Sequence, residues 1–144
     1  MDNPANNFSQ QLGQANDFLK LVFPDVSGYI EIRAIDKSKK VSRRFFRDPE
    51  EAALHAVKMG AERNHNIYVG MAERKSSSAG TKENVLRSHV KWCEIDAASY
   101  GNDKEKALER VQQLQNLEGF PGPTVVNNTG HGYLLSQRAY PIAR

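Results

Sequence analysis

The sequence predicts an α+β domain, with an antiparallel or mixed sheet and helices packed mainly on one side. Segments of period-two alternation come in adjacent pairs, 29–35 with 41–46 and 124–128 with 133–135, a pattern of hairpins rather than of parallel crossovers. Apolar residues at helical spacing fill separate stretches between them. The length of 144 residues suits one domain, large enough for a real core.

Residues 1–6 read as a frayed, flexible end. From Phe8 to Val22 the positions Leu12, Ala15, Phe18, Leu19 and Val22 share a helix face, and Pro24 ends the pattern. Gly28 opens the alternating run Tyr29–Ile35, Asp36–Lys40 reads as a turn, and Val41–Phe46 as the return strand, although the turn lacks an Asn-Gly signal. Asp48-Pro49-Glu50-Glu51 is a helix start, with Asp48 placed to cap, Pro49 at the first helical position and Glu51 placed for a capping box. Ala52, Ala53, Ala56 and Val57 give this helix a small-residue face, and Gly60 sits near its end. Asn66–Met71 is a strand, and Glu73–Glu83, with three serines and a glycine, is the most loop-like internal stretch. His89–Asp96 is a strand, Asp103–Leu117 a helix, and Pro121-Gly122-Pro123 a sharp connection. Thr124–Asn128 and Tyr133–Leu135 are strands joined by the turn Thr129-Gly130-His131-Gly132.

Twenty Lys and Arg against seventeen Asp and Glu give a net charge of +3, which tolerates a nucleic-acid partner without demanding one. The single Cys93 excludes an intramolecular disulfide and a cysteine-based zinc site and points to a reducing, cytoplasmic setting. No apolar run is long enough to span a membrane, and the first residues do not read as a signal peptide. Walker, Rossmann, His-Glu-x-x-His and GxSxG patterns are absent. His55, His65 and His89 stand isolated and read as surface or packing histidines.

Four places can carry chemistry. Glu94 and Asp96 lie two apart on a strand, so they face the same side about 6.6 Å apart along the backbone. That spacing suits hard-oxygen ligands of Mg²⁺ or Mn²⁺; the plain alternative is an acidic solvent face. In the turn 129–132 two glycines flank His131, so backbone amides, Thr129 and His131 can meet phosphate oxygens, or the turn is only a hairpin end. Arg74, Lys75 and Lys82 surround a glycine loop that can face phosphates or simply water. Lys39, Lys40, Arg43, Arg44 and Arg47 form a patch suited to a nucleic-acid backbone, or a charged hairpin tip.

Taken in order, the segments GYIEIRAI (28–35), RRFFRDPEEAALHA (43–56), NIYVGMAERK (66–75), GTKENV (80–85), VKWCEIDA (90–97) and PTVVNNTGHGYLL (123–135) resemble primase–polymerase domains of the archaeo-eukaryotic primase superfamily, as found in phage, plasmid and mobile-element replication proteins. The likeness spans roughly residues 18–136. It implies that Glu94 and Asp96 are the first, metal-holding motif and that Thr129-Gly130-His131 lie in the second, nucleotide-contacting motif. It further implies a nucleotidyltransferase that copies single-stranded DNA from nucleoside triphosphates, with Mg²⁺ or Mn²⁺, beside a helicase domain or protein. Arg74, Lys75 and Lys82 would then support nucleotide binding. The sequence departs from the pattern at Glu94, where Asp is common, and at Leu134, where the second motif's His falls. The third acidic motif is not reached by Arg144, so the chain is expected to be the N-terminal portion of such a domain, truncated and inactive by itself. The alternatives are a non-catalytic DNA-binding replication module and a protein–protein module.

Overall fold

A computed structural model describes residues 4–119 and 125–138. The chain forms two compact units, one up to His89 and one from Val90 onward, each built of helices and antiparallel strands. The expected connection 121–123, Thr124 and the first three residues lie outside the described residues.

In the first unit, helix α1 (Pro4–Val22) begins earlier than its apolar periodicity, so residues 5 and 6 are helical rather than frayed. Strand β1 (Ile30–Ile35) is central in a sheet of order β2-β1-β3, flanked by β2 (Val41–Phe46) and β3 (Asn66–Val69). Lys39 supplies the left-handed residue that the missing Asn-Gly would have given, at φ 68°. Asp36 Oδ1 accepts from the Lys40 amide at 2.9 Å and closes the turn. That amide holds the Asp36 carboxyl below the ordinary aspartate value.

Helix α2 (Pro49–Arg63) starts as expected, with Asp48 accepting from the Glu50 amide at 3.0 Å. It runs through Gly60 and ends at Asn64, which adopts the left-handed conformation at φ 52°. Ala52, Ala53 and Val57 are buried from α2, Leu19 and Val22 from α1, with Phe23 just after it, and Ile30, Ile32 and Ala34 from β1. The small alanine face lets α1 and α2 pack against each other over one face of β1. Each fully buried Ile or Leu there contributes roughly 2 kcal/mol by leaving water.

The opposite face of β1 is covered too, which alternation alone did not indicate. Glu31 is 2% exposed, its Oε1 accepting from Arg33 at 2.9 Å while Oε2 is buried without a partner. Gly80 covers that carboxylate so closely that a Cβ there would collide with it. The stretch expected to be loop contains β4 (Glu73–Arg74), paired with β5 (Val85–Arg87). Between them Asn84 orders the serines: its Nδ2 donates to the carbonyls of Ser76 and Ala79, and its Oδ1 accepts from Ser76.

Glu73 is fully buried and accepts from the amides of Ser27 (2.7 Å) and Gly28 (2.9 Å), from Arg87 Nε (2.6 Å), and pairs with His89 Nε2 (2.7 Å). Arg87 continues to the Asp25 carbonyl and Ser27 hydroxyl. His89 is thus a partner of Glu73, not an isolated histidine.

In the second unit, strand β6 (Val90–Asp96) leads into a 3-10 turn (Ala97–Tyr100) and helix α3 (Lys104–Gln115). Asp103 caps α3 by accepting from the amides of Glu105 and Lys106. Strands β7 (Val125–Asn128) and β8 (Gly132–Arg138) complete a sheet of order β6-β8-β7, with β8 longer than its apolar core implied. Ala97, Ala107, Val111 and Leu135 are buried in this unit.

Burial pushes the Glu73 carboxyl up, but its hydrogen bonds to Gly28, Arg87, His89 and Ser27 outweigh burial and hold it below the ordinary glutamate value. Because the folded-state pKa is the lower one, its stabilisation is complete above the unfolded value of about 4.3 and is lost as pH falls through the folded value. We expect Glu73→Gln to destabilise the chain by about 3 kcal/mol at neutral pH. Urea titrations of both proteins should show the difference shrinking below about pH 4; a pH-independent difference would exclude a role for the charge.

Candidate functional site

Strand β6 is paired along its length with β8, and the register fixes what faces what. Trp92 stands opposite Ser136, Glu94 opposite Leu134, and Asp96 opposite Gly132. On the other side of β8, Asn127 of β7 also pairs with Leu134. Glu94, Leu134 and Asn127 therefore form one row across a sheet face, with Asp96 and Gly132 in the next row on that face. Both carboxylates are exposed, and neither is paired with a cationic side chain among the described residues.

Asp96 has a structural task as well. One carboxylate oxygen accepts from the Ala98 amide at 2.9 Å and caps the 3-10 turn. The same junction is tied to the 129–132 turn, because the Ala97 amide donates to the His131 carbonyl at 2.9 Å. An open cleft of about 360 Å³ results, lined by Asp96, Ala97, Ala98, Asn102, Lys104, Gly130 and His131. The structure thus brings Asp96 and His131 to one cleft, while Glu94 and Thr129 are not among its lining residues.

The turn is built by Asn128, whose Oδ1 accepts from the Gly130 amide at 3.0 Å and from Lys104 Nζ at 2.7 Å. Gly130 takes φ 88°, a conformation that favours glycine. The Thr129 amide donates to the Gly132 carbonyl at 3.0 Å, so the amides of residues 129 and 130 are engaged inside the turn. Lys104 also lies 5.6 Å from the Tyr133 ring centroid, which fixes a cation at the cleft. The sequence does not single out Lys104; Asn128 stands directly before the candidate turn, where the Asn-Thr-Gly order is an Asx-turn signal.

The remaining expected residues lie in the first unit. Arg74 donates to the Thr81 carbonyl at 3.0 Å and so braces its own loop. Lys75 and Lys82 are exposed. The five-residue basic patch is divided by strand parity. Lys40 and Arg44 line a cleft beside α2, whereas Arg43 pairs with Arg33 in the register of β1 and β2, on the opposite face. Arg47 lies over the Tyr29 ring at 4.7 Å and donates to its hydroxyl at 3.0 Å, and Lys39 is committed to the turn conformation.

No group of three or more His, Cys, Asp or Glu side chains suited to a metal occurs among the described residues. Glu94 and Asp96 offer a pair of unneutralised hard-oxygen donors, which fits a divalent cation that draws its other ligands from phosphate and water. No helix among the described residues is long and apolar enough to cross a membrane.

Gly132 is the point on which this geometry turns. A Cβ there would strike the Ile95 carbonyl and the Asp96 Cα, both backbone atoms. Gly132→Ala should therefore part β6 from β8 beside Asp96 and cost about 1–3 kcal/mol. Chemical denaturation together with amide exchange at Ala97 would detect it; wild-type stability and protection would show that the strands do not need this close approach. No family model matches the chain, and no curated protein or solved structure is similar enough to count as a match.

Proposed function

We propose that the chain carries a primase–polymerase-type nucleotidyltransferase domain of a mobile-element replication protein, and that residues 90–138 hold metal- and nucleotide-binding groups of its site. The observation that carries this reading is the placement of Glu94 and Asp96 on one sheet face, with Asp96 and His131 meeting at a single cleft. Glu94 and Asp96 would hold Mg²⁺ or Mn²⁺, which when bound neutralises triphosphate charge and favours attack by a 3′-hydroxyl on the α-phosphate. His131 and Lys104 stand where they can donate to the phosphate oxygens of an incoming nucleotide. Thr129, Arg74, Lys75 and Lys82 are assigned supporting contacts on the resemblance alone, as is single-stranded DNA as template.

One observation favours a second reading, a non-catalytic DNA-binding module. Leu134 occupies the position opposite Glu94, and the resemblance puts a nucleotide-contacting His at that position. An apolar side chain there donates nothing to a phosphate.

Calorimetric titration of Mn²⁺ in the presence of a deoxynucleoside triphosphate separates the two. Asp96→Asn is the informative variant, because an asparagine side-chain oxygen still caps the Ala98 amide while the charge is gone. We expect wild type to bind Mn²⁺ and nucleotide together, and Asp96→Asn to bind at least tenfold more weakly with unchanged thermal stability. Equal binding by both proteins, or none by wild type, would remove the nucleotidyl-transfer reading.

A further inference from the structure

A cleft of about 510 Å³ lies within the first unit, between the edge strand β2 and helix α2. Its walls bring together residues far apart in sequence: Lys40 and Arg44 from β2 and its preceding turn, and Lys58 and Arg63 from α2. Ser42 and Met59 lie between them, and two acids, Asp36 and Glu62, complete the charge inventory with His55 and His65.

The four cations are unspent. Elsewhere in the unit Lys20 is paired with Glu50, Arg33 with Glu31, and Arg87 with Glu73 and Asp25. Lys40, Arg44, Lys58 and Arg63 have no ion-pair partner among the described residues. Asp36 is engaged by the Lys40 amide at 2.9 Å, so part of its charge serves the turn. Protection of an exposed sheet edge accounts for a charge such as Arg44 on β2, but not for Lys58 and Arg63 converging on the same cleft from a helix.

Two histidines line the same cleft. His65 Nδ1 is buried with no hydrogen-bond partner. His55 packs on Phe46 with ring centroids 5.2 Å apart, and burial, then the neighbouring Arg44, hold its pKa below the ordinary histidine value. An anion beside Arg44 would relieve that repulsion.

We propose that this cleft binds the phosphodiester backbone of single-stranded nucleic acid, with Lys40, Arg44, Lys58 and Arg63 as the phosphate contacts. Strand and helix rise set Lys40 and Arg44 about 13 Å apart along one wall and Lys58 and Arg63 about 7.5 Å apart along the other, a spacing that suits a chain of phosphates better than a single one. A positively charged groove that follows the backbone is the arrangement by which proteins hold a single strand. This deepens the proposed function by giving the template strand a surface, and that surface shares no residue with the cleft around Asp96.

The test is fluorescence anisotropy of a labelled oligothymidylate of about 15 nucleotides, titrated with full-length protein across a salt series. Wild type should bind with a salt slope that falls by roughly 0.7 for each phosphate contact removed. The double variant Arg44→Gln/Lys58→Gln should weaken binding at least tenfold and lower the slope by about 1.4. Lys58→Glu, at an exposed helix position, provides a variant that keeps the fold, changes the cleft charge by the same two units and should weaken binding to a similar extent. Lys20→Gln on α1 and Asp96→Asn should bind as wild type, so loss of metal–nucleotide binding and loss of strand binding are read separately. Unchanged affinity in the folded groove variants, a duplex bound more tightly than the single strand, or no strand affinity at low salt would each overturn the proposal.

Discussion

The first unit depends on a carboxylate that has been taken out of water. Glu73 has no exposed surface, and its ionisation is sustained by two backbone amides, a guanidinium and an imidazole. Those donors come from the segment before β1, from β5 and from the end of the unit, so one side chain joins three separate parts of the chain. Arg87 extends the same set to Asp25 and Ser27. A half-completed version would be worse than an apolar core, because each unmatched donor would carry its own desolvation cost.

Much of the architecture was legible because local chemistry and tertiary packing agree. Asp48-Pro49 starts α2, the alternation of Ile30, Ile32 and Ala34 faces the helices, and Ala107 and Val111 seat α3. Where the reading failed, distant partners had intervened. Glu31 looked like the solvent side of an alternating strand until the 70–80 segment covered it. The serine-rich stretch read as loop throughout, and Asn84 gives it a fixed shape.

The candidate sites divide in the same way. Glu94 and Asp96 share a face by strand parity alone, so their co-orientation needed only the identification of a strand. That Asp96 also caps the following turn, and that Lys104 and Asn128 frame the cleft, depends on how α3 and the β7–β8 hairpin return to β6. The basic patch shows the converse. Five cations close in sequence are separated by the pleat, while Lys58 and Arg63 join Lys40 and Arg44 from another element.

The contact between Gly80 and the buried carboxylate of Glu31 has a consequence for how this sequence can change. A side chain at position 80 has no room while glutamate occupies position 31, and a shorter acid at 31 would leave Arg33 without its partner and a void beneath the loop. Neither position can drift alone. In descendants of this chain the two should be inherited as a linked pair, with any replacement of Gly80 following a smaller, uncharged residue at 31. Substitutions at the exposed Ser77 should meanwhile accumulate freely.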